Sequence, residues 1–484
     1  MSTQIPPRPN IVLINVDQWR GDCLGSAGHP VVRTPYLDRL ASRGVRFDRA
    51  YAAVPTCIAA RASLYTGLTQ RTHGRVGYCD GVDWDYPVTL GTEFSKGGYQ
   101  THAIGKLHVH PARSRIGFHE VELHDGFLHF QRKRDRNLAG TDDYQQWLWE
   151  KLGPDAEDFE HGLNCNSFVA RPWDKAEALH PTNWVVTRAN HFLRRRDPRR
   201  PFFLMLSFHR PHPPFDPPAW AFEQYLGAPM PDRPVGDWID LLHPHRDPLA
   251  PDRFFGEMDR TDLHRALAGY YGHMSHIDAQ INRFVETLGM YGLAENTWIC
   301  FVSDHGEMIG DHHLFRKGFG YEGSARVPLL LHAPHKAGLV AGSVSRELAE
   351  LRDVLPTLLE CAGLPVPESV EGRSLLPAAR GEGGIDRDHL HGEHVILGHS
   401  LQWIVTRDRK YLWWSGSGRE QLFDLESDPQ ETRDLARRPD RAAELERLRG
   451  LLIGELSGRP EGFVEAGRLV AGRPAHPVLP HLRP

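Results

Sequence analysis

An α/β fold, with an open, mostly parallel sheet flanked by helices and a smaller α+β subdomain after it, is predicted by three features of the sequence. Short continuous apolar runs end in polar residues, amphipathic helical stretches separate them, and the chain changes character after about residue 380. Unbroken apolar runs suit strands buried on both faces, as in a parallel sheet covered by helices. Polar residues collecting at strand ends put a functional site along the carboxyl edge of that sheet.

The first run is NIVLINVD (10–17), which delivers Asp17 at its end. TPYLDRLASRGVRFDRAY follows with helical spacing and a stop at Gly44. PTCIAARASLYTG (55–67) reads as a proline-led loop, a helix start at Cys57 and a stop at Gly67. Free N–H groups and the helix dipole at a first turn favour negative charge, which is where a nucleophilic cysteine belongs. Taken alone, the cysteine reads better as a small buried hydrophobe, and the rest of the chain decides.

PFFLMLSFH (201–209) is the second buried strand, and HRALAGYYGHMSHIDAQINRFVETLGMYGLAEN (264–296) is a long amphipathic helix closed by glycines. TWICFVSDHG (297–306) is the third run, again ending in Asp and His. Beyond residue 380, aromatic-rich stretches with tight turns predict short antiparallel strands, followed by a charged helix over 441–456. The expected units are a main domain over 1–380, a C-terminal subdomain over 381–458, and a Pro/Gly-rich segment over 459–484. That segment is either a loose tail or an arm on a neighbouring copy, which would make a homo-oligomer.

Bulk properties exclude several classes. The 484 residues exceed one ordinary core, and 40% hydrophobic with 25% charged residues are ordinary globular values. A net charge of -5, with the basic clusters RKRDR (132–136) and RRRDPRR (194–200) interrupted by aspartates, argues against nucleic acid and for solvated surface. Six widely spaced cysteines without a CxxC resemble neither a zinc ribbon nor a disulfide framework. No apolar run reaches membrane-spanning length and MSTQIPPRPN has no apolar core, so the expectation is a cytoplasmic protein without a membrane partner. The 29 histidines, several beside carboxylates, direct attention to metal or acid–base chemistry.

Two strand ends carry hard-metal donors, Asp17-Gln18 and Asp304-His305, and a divalent cation needs such donors from several elements. Basic residues recur between them: Arg61, Lys106 and His108 in GYQTHAIGKLH, His212 in FHRPHPPF, and Lys317 in DHHLFRKGF. Each has an ordinary alternative, such as a solvated loop lysine, a histidine pinned between prolines, or a surface pair of Lys317 with Asp311. Together they form a cationic set around a metal and a nucleophile, which binding of a tetrahedral oxyanion ester requires.

At these residues the chain resembles the sulfatase family of the alkaline-phosphatase-like superfamily, over nearly its whole length. NIVLINVDQWRGDCLG is similar to the family's first metal strand, CIAARASLYTG to its nucleophile signature and GYQTHAIGKLH to its second signature. The stretch from HIDAQ to LFRK resembles its helix, second metal strand and lysine loop, and EQLFDLESDPQETRDLA its closing turn. The resemblance implies a large mixed, mostly parallel sheet and cleavage of a small-molecule sulfate ester. It implies that a formylglycine-generating enzyme, a transient partner, oxidises Cys57 to formylglycine, whose hydrated aldehyde attacks sulfur and later releases sulfate by elimination.

By the same resemblance Asp17, Gln18, Asp304 and His305, with the side chain at position 57, hold one divalent cation. Arg61 and Lys106 hold the diol and its charge, His108 is the base, and His212 and Lys317 bind sulfate oxygens and help protonate the leaving alcohol. His209, at the end of the apolar run, is expected to be structural. Two positions depart from the family pattern. Ala59 stands where proline is usual, so partial conversion of Cys57 is expected. Gln18 replaces an aspartate, and with His305 this shifts preference from calcium toward manganese, both remaining open. The rivals are a phosphonate monoester or phosphodiester hydrolase, against which the Lys106–His108 pair argues, and a silent metal-binding homologue with an unmodified thiol. Asp80, Asp83, Trp84 and Asp85 are candidates for the leaving-group side, or an acidic surface loop.

Overall fold

The computed structural model describes residues 8–126, 141–240, 250–334, 337–396 and 398–482. The cluster RKRDR therefore lies outside the described residues, whereas Arg194, Arg195, Arg199 and Arg200 of the second cluster are exposed as expected.

A nine-stranded sheet forms the centre. Its strands are β1 (Asn10–Asp17), β2 (Val45–Tyr51), β3 (Gln100–Gly105), β4 (Glu120–Leu123), β5 (Phe202–Pro211), β6 (Thr297–Ser303), β7 (Arg326–Val327), β8 (Leu329–His332) and β9 (Ser343–Glu350). The spatial order is β4-β3-β5-β1-β6-β8-β2-β7, with β9 also paired to β2. From β4 to β6 all neighbours are parallel, while β8 runs antiparallel to both β6 and β2. The sheet is thus mixed and mostly parallel.

Side chains of β1 alternate between the two faces, as a period of two demands. Val12, Ile14 and Val16 join one core with Leu193, Phe284 and Ile277, while Ile11 and Leu13 join another with Leu64 and Leu355. Both faces are covered, so all eight residues of β1 are buried and the run carries no polar alternation. The helices that cover the first face are Pro181–Arg195 and Arg260–Met290. Each fully buried aliphatic side chain contributes about 1.5–3 kcal/mol, which makes these strands the firmest frame available to a site.

The stretch after Gly44, which follows the helix Pro35–Ser42, is strand β2 and not a continuation of helical spacing. Val45, Phe47 and Ala50 turn inward while Arg46, Asp48 and Arg49 stay partly exposed, a half-buried pattern.

Four antiparallel strands, β10 (Leu390–Ile396), β11 (His399–Val405), β12 (Arg409–Trp414) and β13 (Glu420–Asp424), form the C-terminal sheet. One face packs Leu401, Trp403 and Leu412 on Phe319 and Tyr321 of the main unit. The other packs Ile404, Tyr411 and Leu422 on Leu445, Leu448 and Leu452 of the helix Ala442–Leu456. The segment after this helix is tied to its own chain at several points. Phe463 enters the core beneath the helix, Arg459 pairs with Glu393, and Val478 bridges Arg75.

Candidate active site

Four parallel strands lying side by side, β3, β5, β1 and β6, all point their carboxyl ends to one edge. Register makes the gathering close: Gly105 pairs Ser207, Asp17 pairs Pro211, and Val16 pairs Ser303. Lys106, His212, Gln18 and Asp304 therefore leave the sheet as neighbours. Gly105 permits this at φ +100, because a Cβ there would collide with the Ser207 carbonyl oxygen.

The helix Cys57–Thr66 brings the remaining members, and all ten of its residues are buried. Small side chains at Ala59, Ala60 and Ala62 allow that depth, and Gly67 ends the helix at φ +70. Arg61 follows Cys57 by one turn on the same face.

One donor atom each from Asp17, Cys57, Asp304 and His305 lies within 4.8 Å of the others. Cys57 Sγ is 3.2 Å from His305 Nε2 and 3.7 Å from Asp17 Oδ1. His305 Nδ1 donates to the Gly306 carbonyl at 2.9 Å, which leaves Nε2 as the lone-pair nitrogen toward the cluster, 3.5 Å from Asp17 Oδ1. Gln18 sits at φ +68 and its backbone N–H donates to Asp304 Oδ1 at 3.1 Å. Two carboxylates and a correctly turned imidazole beside the Cys57 sulfur fit a divalent cation.

The basic set surrounds this cluster. Lys106 Nζ is bonded to Asp17, and Arg61 Nε donates to Asp304 Oδ2 at 2.9 Å. Arg61 Nη1 donates to the Lys106 carbonyl at 2.6 Å and to Tyr65 Oη and Ser207 Oγ at 3.0 Å each. Arg61 is thus turned toward the protein as much as toward the carboxylate cluster, tying helix, β3 and β5 together. His108 Nε2 is 3.5 Å from Asp80 Oδ1, and Tyr78 Oη donates to the other oxygen of Asp80 at 2.7 Å. The N–H groups of Leu107 and His108 both donate to Asp125 Oδ1, at 2.9 and 3.0 Å. Lys317 Nζ donates to Gln18 Oε1 at 2.6 Å and makes no surface pair with Asp311, which Arg20 and Arg233 hold instead.

His212 Nδ1 donates to the Pro213 carbonyl at 2.8 Å, and burial with the charges of Lys317 and Lys106 holds the ring neutral, well below the usual histidine range. His209, its ring 4.9 Å away, faces Arg210 at 2.5 Å and is likewise held low by burial and that guanidinium. Burial and Asp17 push the Cys57 thiol up, yet Lys106, Lys317 and His305 carry it well below the ordinary thiol range. Burial and Lys106 also work against protonation of His108, but hydrogen bonds to Asp80 and Cys57 raise it. All ten residues expected at the site converge there. Sequence reading missed Glu307, Ser207 and Asp125. A serine inside the run PFFLMLSFH was a usable signal, since a polar side chain in a fully buried strand needs a partner; Asp125 offered none.

His180, Asp216 and His273 also place donor atoms within 4.8 Å of one another. There the cation's place is filled by Arg210, whose Nε and Nη2 each donate to Asp216 at 2.8 Å, with His161 Nε2 at 3.0 Å. That cluster anchors the loop carrying His212 rather than a metal.

Comparison with known proteins agrees with this geometry. The family described as Sulfatase matches residues 9–364, and N-sulphoglucosamine sulphohydrolase, C-terminal, matches 310–455. The chain is 47% identical over 483 residues to an Arylsulfatase of Clostridium perfringens (strain 13 / Type A), covering 98% of this chain and 100% of the relative. It is 30% identical to the multifunctional alkaline phosphatase superfamily protein PehA of Trinickia caryophylli, covering 90% and 93%. Among solved structures, the phosphonate monoester hydrolase of Agrobacterium radiobacter superposes with a TM-score of 0.75 at 28% identity, over 91% of this chain and 94% of that one.

Proposed function

The chain belongs to the sulfatase family and is a sulfuric ester hydrolase, and on that premise we propose that it cleaves small aryl sulfates through formylglycine made from Cys57, with one divalent cation. The observation that carries this reading is the position of Cys57: a buried helix start, 3.2 Å from His305 and 3.7 Å from Asp17, inside a ring of Lys106, Lys317 and His108. Asp17, Gln18, Asp304 and His305 would hold the cation, calcium or manganese, with the single imidazole favouring manganese.

Formylglycine supplies a hydrated aldehyde, one hydroxyl to attack sulfur and one to expel sulfate, and the cation supplies positive charge beside them. The remaining work falls to side chains already in place. Lys106 keeps a cation against position 57 through its bond to Asp17. His108 takes the proton of the second hydroxyl, and Asp80 and the Asp125 clasp on its backbone aim it. Lys317 receives the sulfate oxygens. His212, whose Nδ1–H is held by the Pro213 carbonyl, turns Nε2 to the site. It serves as donor to the sulfate oxygens and the leaving alcohol only once the charge of the bound substrate has raised it to the imidazolium. The partner enzyme that converts Cys57 meets Ala59 two residues on, so partial conversion is expected.

The test is a panel of aryl, sugar and small-alcohol sulfates beside phosphodiesters and phosphonate monoesters, with position 57 read by peptide mass spectrometry in the same preparation. Sulfatase turnover should rise in proportion to formylglycine content, and Cys57→Ala should give none. Full turnover by wholly unmodified cysteine would overturn the mechanism. A higher kcat/KM for phosphonate monoesters than for every sulfate would overturn the substrate class.

A further inference from the structure

A glutamine at a metal-ligand position carries an ambiguity that an aspartate does not. One end of its amide is an acceptor and the other a double donor, and only the oxygen can face a cation. Something must decide which way Gln18 points.

Four contacts do so. Gln18 Nε2 donates to Glu307 Oε2, and Gln18 Oε1 accepts from Lys317 Nζ at 2.6 Å. The second oxygen of Glu307 is fixed in turn, accepting from the backbone N–H of Ile309 at 2.8 Å and of Arg316 at 2.5 Å. Glu307 is fully buried, so no water competes for these bonds. The result is a closed ring: Gln18 to Glu307, Glu307 to the backbone just before Lys317, and Lys317 back to Gln18.

We propose that Glu307 is the positioning residue that turns the Gln18 amide oxygen toward the cation and restores, one bond further out, the negative charge that Gln18 lacks as an aspartate replacement. The inference rests on the cation site proposed above. Carboxylates behind metal ligands commonly fix ligand orientation, and their loss weakens metal binding about 10–100-fold.

The chemistry of Glu307→Gln makes the idea sharply testable. A glutamine at 307 keeps its oxygen for the N–H groups of Ile309 and Arg316, so its NH2 faces Gln18. Gln18 must then turn its own oxygen to that NH2 and present its NH2 to Lys317 and the cation. The exchange Gln18→Glu with Glu307→Gln undoes this, because a carboxylate in place of the Gln18 amide accepts at both ends and every hydrogen bond of the ring is restored.

The measurement is titration of chelator-stripped, full-length protein with Mn²⁺ alone, by calorimetry and by the electron paramagnetic resonance signal of free Mn²⁺. Near-UV circular dichroism of each variant reports that the fold is intact. Glu307→Gln should bind Mn²⁺ about 10–100-fold more weakly than wild type, and the double exchange should return to within a few-fold. Wild type that binds Mn²⁺ with Glu307→Gln unchanged, or a double exchange as weak as the single, overturns the role of Glu307. Wild type that binds neither Mn²⁺ nor Ca²⁺ overturns the cation site itself and the proposal with it. If Glu307→Gln alone fails to fold, Glu307→Asp, which keeps the charge but shortens its reach to Gln18 Nε2, is titrated in its place, with weaker Mn²⁺ binding expected and unchanged binding overturning the role.

Discussion

At the scale of single residues, the two histidines of FHRPHPPF divide their work by what each ring faces. His212 is under the charges of Lys317, Lys106 and Asp17, the groups around position 57. His209 faces Arg210, which Asp216 grips with both oxygens. His212→Ala should therefore lower kcat by ~10²–10⁴-fold, the usual loss for a proton donor or acceptor, while His209→Ala should act mildly through the loop. Steady-state kinetics of the two variants check this, and a dead His209→Ala beside a near-normal His212→Ala would reverse it. The residues that sequence reading found share one property: they are chemically conspicuous types at the ends of apolar runs or in basic loops. Glu307 escaped because it stands two residues beyond His305, where nothing in the sequence tells a carboxylate that turns an amide from one that meets solvent.

At the scale of elements, legibility followed burial. Strands β1, β5 and β6 are covered on both faces and read as unbroken apolar runs. β2 is half-buried and its charged residues hid it behind the preceding helix. The helix Pro35–Ser42 also starts in an unusual way. Its first N–H groups, of Tyr36 and Leu37, donate at 3.2 and 2.7 Å to Asp278 on the long helix, and not to a capping side chain of its own. Burial pushes the Asp278 carboxyl up to about 7, against the pull of those two N–H groups. A carboxyl whose folded value exceeds its unfolded one, about 3.9, stabilises fully below the unfolded value, and the contribution is lost as pH rises through the folded one. Relative to Asp278→Asn, wild type should thus lose stability from about pH 4 to about pH 7 and run parallel above it. Urea midpoints at several pH values measure the difference, and parallel profiles throughout would refute the assignment.

At the scale of the whole molecule, the C-terminal sheet is part of the wall of the site. The N–H of Glu393 donates to the Ala53 carbonyl at 2.8 Å, and that of Val395 to the Val76 carbonyl at 3.0 Å, so β10 straps the loop entering Cys57 to the loop carrying Tyr78 and Asp80. Glu393 is itself held by Arg459, through two bonds at 2.7 and 2.9 Å between side chains 1% exposed. Removing one partner of such a buried pair leaves a stranded charge, so Arg459→Met should cost about 3–5 kcal/mol. Glu393→Gln with Arg459→Met should cost less, and denaturant unfolding of the three proteins compares them. This long-range strapping was not readable in the sequence. The order of nine strands and the return of residues 459–482 are set by which surfaces meet, and no local pattern records that.

The same strapping places chemistry in time. Cys57 is 1% exposed in the finished fold, on a helix with no exposed residue. The pairing of Val478 with Arg75, and of the Pro477 carbonyl with the Val76 N–H, closes the neighbouring loop with residues made roughly 400 positions after Cys57. At synthesis rates of about 5–20 residues per second, the nucleophile helix waits on the order of tens of seconds for its last wall. On the reading proposed above, an enzyme that must reach the Cys57 sulfur has that interval to work in. A chain that completes its fold first shuts the thiol inside, so the proposed conversion makes the active fraction of a preparation the outcome of a race between modification and the arrival of the C-terminal strands.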